Sequence, residues 1–429
     1  MMYALLVISV FLILLGLPIA YVIGIASTAW VLLEDMIITI IPSRIQSGIN
    51  SFVLLAIPFF IMAGDLMSRV GITDKLIDWI NVLVGRVRGG LAHVVIFFVM
   101  IFSAITGSGV AVVAAVGGVF GEAMEGQGYN KAWAMANIAN AAIIGPIIPP
   151  SILMVIYGGA TGVSIGAMLI GGIVPGLILG FGQSTLVSLT AKRRNLPKVD
   201  LPFKVTPTIV FTKTMKAIPA LFMPIIIVGG IMSGVFTPTE AAAVSALYAA
   251  ILGVFFYRSL SIRDFFLVAR NTIRQTAMLL FILGVSGILA WMFARMGIAS
   301  MVVETLRSIS NNPNVIFAIV VVVLLFMGTW LDASAIIVLV APIIAPLMQS
   351  LGVHPVHFAV VMVSVVCMGM VTPPLGVCLF AASSMSKVPI EKIVKEIVPF
   401  LIYDTAVMAI LMYFPQLVLW LPRTFGLTY

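Results

Sequence analysis

Apolar residues in this chain gather into runs too long for a soluble core, separated by short polar turns. Runs over 3–16, 19–33, 51–70, 132–162, 166–190, 217–233, 239–257, 277–301, 356–386 and 397–421 approach or exceed the roughly 20 residues that cross a bilayer as a helix. They predict an all-α polytopic membrane protein with about ten spans. Basic residues cluster in the turns, and the positive-inside rule puts Arg86, Arg88, Lys131, the stretch Lys192 to Lys216, Arg258 to Arg274 and Lys387 to Lys395 on the cytoplasmic side. Arg44, Arg307, His354, His357 and Arg423 are then expected outside, together with both termini. Two more apolar stretches, 89–125 and 313–349, have flanks on a single side. A segment that enters and leaves by one face is a re-entrant helical hairpin.

The same punctuation recurs 224 residues apart, from Ser108 to Asp332, Gly128 to Gly352, Gly145 to Gly369, Pro149 to Pro373 and Pro175 to Pro399. A weaker echo joins Arg69-Val70-Gly71-Ile72 to Arg295-Met296-Gly297-Ile298. With an odd number of crossings in each half, the repeat predicts inverted topology, with two re-entrant hairpins and two broken helices. Paired Gly/Pro-interrupted apolar segments of this kind point to the binding site of a secondary transporter. Non-helical backbone at membrane depth survives only where protein buries it or a cavity solvates it.

Composition narrows the function further. The 429 residues are 62% hydrophobic and 9% charged, and the net charge of +8 is explained by the basic turns rather than by nucleic acid. Met1 to Gly16 has neither a basic leader nor a small-residue cleavage site, so it reads as a retained span. Cys367 and Cys378, the only cysteines, lie in one apolar segment and suggest neither a disulfide nor a metal site. Neither a Walker-type loop nor a GxSxG elbow nor a His/Cys/Glu cluster is present, so the energy source is expected to be an ion gradient.

The candidate chemistry lies at the breaks. Gly107-Ser108-Gly109 allows a tight hairpin tip, and Pro149-Pro150 frees carbonyls on the preceding turn. Gly328, Asp332, Gly369 and Thr372 offer the second half's counterpart, with a full negative charge at Asp332. Freed carbonyls with a hydroxyl or carboxylate suit sodium, although glycine and proline also kink packed helices without binding anything. Asp332 can equally cap the helix that follows it, and capping is compatible with ion binding. Arg295 can snorkel to the interface or hold a carboxylate in its planar fork. Arg69 has Asp65 one turn earlier, an i,i+4 pair of structural type. Asn137 and Asn140 share a helix face, suited to interhelical hydrogen bonds. Thr237-Pro238-Thr239-Glu240 reads as a capping box.

With Phe236-Thr237-Pro238-Thr239-Glu240-Ala241-Ala242-Ala243, Gly145-Pro146-Ile147-Ile148-Pro149-Pro150-Ser151, Asp332 and Val371-Thr372-Pro373-Pro374-Leu375-Gly376, the chain resembles the large membrane (M-type) subunit of tripartite ATP-independent periplasmic (TRAP) transporters over essentially its whole length. The resemblance implies sodium-coupled import of a small organic acid across the bacterial inner membrane by an elevator mechanism, and no enzymatic activity. It also implies two partners, a small four-helix (Q-type) membrane subunit and a soluble periplasmic (P-type) substrate-binding protein. Ser103, Ser108, Gly145 and Pro149 would lie near one sodium ion, and Gly328, Asp332, Gly369 and Thr372 near another. Arg295, Ser108, Asn140 and Ser334 are the substrate-binding candidates, with a sialic acid the first expectation and a C4-dicarboxylate the second.

The expected organisation is scaffold spans over 1–88, transport elements over 89–190, a cytoplasmic linker over 191–216, scaffold spans over 217–308 and transport elements over 309–429. A sodium/carboxylate symporter that works alone is the main rival. A membrane enzyme acting on lipid-linked substrates is a weaker one, because no acid/base pair is visible at membrane depth.

Overall fold

The computed structural model describes residues 11–12, 15–106, 109–198 and 206–427. The described residues are helical without a strand. In the first half the helices are α1 (Ile19–Leu33), α2 (Ile40–Ile49), α3 (Ala56–Arg69), α4 (Ile72–Val84), α5 (Gly90–Thr106), α6 (Gly109–Gly126), α7 (Lys131–Ala141), α8 (Ile152–Thr161), α9 (Ile165–Gly171) and α10 (Ile173–Thr190). In the second half they are α11 (Pro207–Met232), α12 (Pro238–Ile251), α13 (Ile262–Arg295), α14 (Ile298–Ile309), α15 (Pro313–Trp330), α16 (Ala333–Ser350), α17 (Pro355–Gly369), α18 (Val377–Ser386), α19 (Ile390–Tyr413) and α20 (Gln416–Thr424).

Eight described helices are long and apolar enough to cross a bilayer, or nine if α19 and α20, bent by 58°, form one span. Three of the eight, α6, α15 and α16, lie in the stretches 89–125 and 313–349, so single helices match five of the ten expected spans and the bent pair a sixth. Part of the difference lies in the two interrupted elements, α7 with α8 and α17 with α18, whose pieces are each too short to count alone. The expected span over 3–16 lies largely outside the described residues.

Helix starts follow capping residues rather than the edges of apolar runs. Thr206 caps α11, with Pro207 at the first helical position, so the second part of the expected linker is already helix. Ser261 and Asp264 form a capping box that starts α13, well before the expected 277. At 34 residues, α13 is about 51 Å long and outruns a hydrocarbon core of roughly 30 Å. The capping box of Thr237 and Glu240 forms as expected. Three helices lack a long apolar run and went unforeseen: α2, α4 and α14. The last two each follow a glycine in the left-handed region, Gly71 at φ 77° and Gly297 at φ 66°, where a β-carbon would be strained.

The helices pack in two groups. α1, α2 and α3 lie against α13, α3 also against α12, and α4 against α11. In the other group, α6 packs on α18 while α16 packs on α8, and α5 packs on α7 while α15 packs on α17. These pairings exchange partners between positions 224 residues apart, and α6 and α16 match that spacing at both ends. Pro149-Pro150 and Pro373-Pro374 are both cis. The two groups meet where α4 packs on α5, where α13 touches α16, and where α3 touches α5 and α8.

One local expectation is corrected. Arg69 pairs with Asp264 at 3.3 Å, across to α13, while Asp65 accepts a hydrogen bond from Asn271; a partner on another helix cannot be read from i,i+4 spacing. His357 is buried within the protein, which is compatible with its expected place toward the outer side. Pro355 opens α17, and the first turn carries His357 inside, where its Nε2 lies 2.8 Å from the Leu411 carbonyl and its ring meets Phe317 edge to face.

Candidate functional site

A cavity of about 170 Å³ lies where the two groups of helices meet. All four interruptions reach it: Gly109 starts α6, Pro146 lies in the gap between α7 and α8, Asp332 and Ser334 start α16, and Met370 follows α17. Ile61 of α3 and Gln275 of α13 close the opposite wall. One wall thus consists of broken backbone and the other of continuous helix.

Asp332 caps α16, accepting from the Ser334 amide at 2.9 Å and from the Ser334 hydroxyl. Both bonds use Oδ1, leaving Oδ2 for another partner. Asp332 is exposed, and Ser334 is only 8% exposed. Behind them α15 and α17 end side by side, because neither Gly328 nor Gly369 has a side chain to hold the helices apart. A β-carbon built on Gly369 would stand 2.5 Å from Gly328 Cα. The turns that follow take up several of the end carbonyls, that of Met327 by the Leu331 amide, Thr329 by Gly376, Cys367 by Met370 and Gly369 by Thr372, and each helix end keeps a partial negative charge. Thr372 donates its hydroxyl to the Met368 carbonyl at 2.8 Å. Carboxylate, carbonyl ends and hydroxyl together are a donor set for a hard monovalent cation.

The first half repeats the arrangement without a carboxylate. Gly145 ends the turn after α7, and Ser151 caps α8 while donating to the Pro146 carbonyl. Gly145 and Pro149 are buried in this break. Ser103 lies in the last turn of α5. Ser108 and Gly107 lie outside the described residues.

Two of the expected substrate contacts do not line this cavity. Arg295 is the exposed last residue of α13, with its guanidinium 6.0 Å from the Trp291 ring centre; it does not line the cavity. Arg44 lies over the same ring at 5.1 Å. An exposed cation at a helix end needs length and charge rather than a planar fork. Arg295→Lys is therefore expected to match wild-type uptake across substrate concentrations, and a clear loss at matched expression would reinstate the carboxylate contact. Asn140 is also away from the cavity, buried beside Gln183 and Asp404. Asp404 leaves little mark in the sequence, because one carboxylate hardly alters the apolar run 397–421.

Residues 6–417 match the family described as the tripartite ATP-independent periplasmic transporter, DctM component. The chain is 34% identical to the sialic acid TRAP transporter large permease protein SiaM of Vibrio cholerae, over 96% of each chain. It is 36% identical to the C4-dicarboxylate TRAP transporter large permease protein DctM of Pseudomonas aeruginosa, over 88% of each. The Alcanivorax borkumensis YdaH transporter has a similar fold, with TM-score 0.60 at 15% identity, covering 87% of each chain. These relatives are transport permeases, not enzymes, and with the spans described above they make this a multi-pass inner-membrane protein. The chain belongs to the DctM family, the large permease subunits of TRAP transporters.

Proposed function

We propose that this chain imports a small organic acid by sodium symport, as the large subunit of a three-part transporter. The observation that carries the reading is the shared cavity: broken backbone from both halves and the Asp332 carboxylate face one space between the two helix groups. One sodium ion is assigned to Asp332, Gly328, Gly369 and Thr372, and a second to Ser103, Ser108, Gly145 and Pro149. The acid binds beside them in the cavity, where Ser334 and Ser108 are its proposed hydrogen-bonding contacts. An anionic substrate placed between bound cations explains the coupling, since each lowers the cost of desolvating the other.

The two halves are read as an inverted repeat with re-entrant hairpins α5–α6 and α15–α16. In an elevator cycle these hairpins and both broken helices carry ions and substrate together, while α1, α2, α3, α11, α12 and α13 stay as scaffold. The packing groups support that division. A sialic acid and a C4-dicarboxylate are the substrate classes proposed, by similarity to SiaM and DctM. The family further suggests a small membrane subunit and a periplasmic binding protein as partners.

Proteoliposome uptake of N-acetylneuraminate and of succinate tests the reading, with this chain alone and with a small membrane subunit and a periplasmic binding protein added. Uptake of one acid is expected only with all three components. Equal uptake by the chain alone would instead support a stand-alone symporter.

A further inference from the structure

Deep in the second packing group, away from the Asp332 cavity, three polar side chains from three helices face one another. Asp404 of α19, Gln183 of α10 and Asn140 of α7 are each completely buried. Gln183 Nε2 donates to Asp404 Oδ1 at 3.2 Å, and the Asn140 side chain faces the same carboxylate without closing a hydrogen bond of ordinary geometry. Asp404 Oδ2, Gln183 Oε1 and both polar atoms of the Asn140 amide, Oδ1 and Nδ2, are buried with no partner. Among the described residues no Lys, Arg or His is paired with Asp404; the four ion pairs lie elsewhere.

A lone ionised carboxylate in such a place costs several kcal/mol, and each unmet amide oxygen adds about 1–3 kcal/mol. One cation would answer for the carboxylate and for both amide oxygens. A proton on Oδ2 can be donated to only one of the two amide oxygens and leaves the other unmet. A metal cation accepts all three oxygens at once and neutralises the carboxylate. Its ligands are hard oxygens, with a single negative charge among them, which selects a hard monovalent ion. Duplication does not account for the cluster, because the positions 224 residues from Asp404, Gln183 and Asn140 are Gly180, Val407 and Ser364.

We propose that Asp404, Gln183 and Asn140 form an additional sodium site between α7, α10 and α19, separate from the ions assigned to the cavity. The site ties the first-half helices to α19 and helps hold the second packing group together as one body. It stands on the cluster's geometry, independently of whether Asp332 binds an ion.

Equilibrium binding of radioactive sodium to the full chain in nanodiscs tests it, with potassium keeping the ionic strength constant. Asp404→Asn keeps the shape and one acceptor oxygen for Gln183 but removes the charge and turns the other oxygen into a donor. It is expected to weaken one class of sodium sites roughly thirtyfold or more, the effect of removing one partner of a buried charge pair, in the wild-type and Asp332→Asn backgrounds alike. Gln183→Leu should weaken the same class, and it decides the matter if Asp404→Asn does not fold. Wild-type sodium binding in the folded variants overturns the site. So does a change confined to the pH dependence of stability, which would identify the occupant as a proton. Asp332→Asn without effect on binding counts against the cavity assignment and leaves this one standing.

Discussion

Asp332→Asn is expected to leave the protein folded and to raise the sodium concentration for half-maximal uptake by roughly ten- to 150-fold. Asparagine caps helices as well as aspartate does, so the start of α16 and the Ser334 amide contact survive. Only the charge goes. A hydrogen bond or ligand contact to a charged group is worth about 1.5–3 kcal/mol, which gives the stated range. Asp332→Ala removes the cap as well and should also lower the melting temperature, by the equivalent of about 1 kcal/mol. Sodium titrations of uptake at matched protein levels separate charge from cap. If Asn behaves as wild type while Ala fails, Asp332 is a helix cap and nothing more.

Gly369→Ala is expected to cost most of the uptake and to lower the melting temperature clearly. The new β-carbon would lie 2.5 Å from Gly328 Cα, 2.7 Å from the Gly328 carbonyl carbon and 2.9 Å from the Leu325 carbonyl oxygen. All three are backbone atoms, so no flexible side chain can yield and α15 must separate from α17. Overpacking of that kind costs about 1–3 kcal/mol, and the separation also spreads the carbonyl ends beside Asp332. Gly328→Ala should act in the same direction but less, since its nearest contacts are at 2.8 Å and 3.0 Å. Gly229, with nothing within 4 Å of its built β-carbon, is the control; Ala there should be neutral or slightly stabilising. A wild-type melting curve for Gly369→Ala would show that the helix contact is looser than described.

The parts of this fold legible in the sequence were those marked by residues with a fixed local meaning. Asp332 as a cap and the Pro-Pro doublets each state where a helix starts or stops, so the helix start at Asp332 and the breaks at both doublets fell near their predicted places. Helices whose starts are amphipathic were cut short or missed. Apolarity fades before the helix ends at α11 and α13, and the true signals were the caps Thr206 and Ser261. The echo between Gly71 and Gly297 was visible as repetition, but its meaning, a left-handed turn into α4 and α14, needed the backbone angles.

The site divided in the same way. Backbone breaks announce themselves, and the chain folds them into one cavity with Asp332. Side chains that act across helices do not. Arg69 found Asp264 rather than its neighbour Asp65, Asn140 turned to Asp404, and Arg295 ended beside Trp291 with Arg44. Nothing in linear spacing records those meetings.

The central claim is that a sodium gradient drives uptake through this chain. The direct test uses proteoliposomes holding the complete three-part complex, loaded with potassium and diluted into sodium or potassium buffer of equal pH and ionic strength. Accumulation of the labelled acid above its outside concentration is predicted only with the inward sodium gradient, collapsing when a sodium ionophore is added. Equal accumulation in potassium buffer, or accumulation driven by a pH gradient alone, would contradict it.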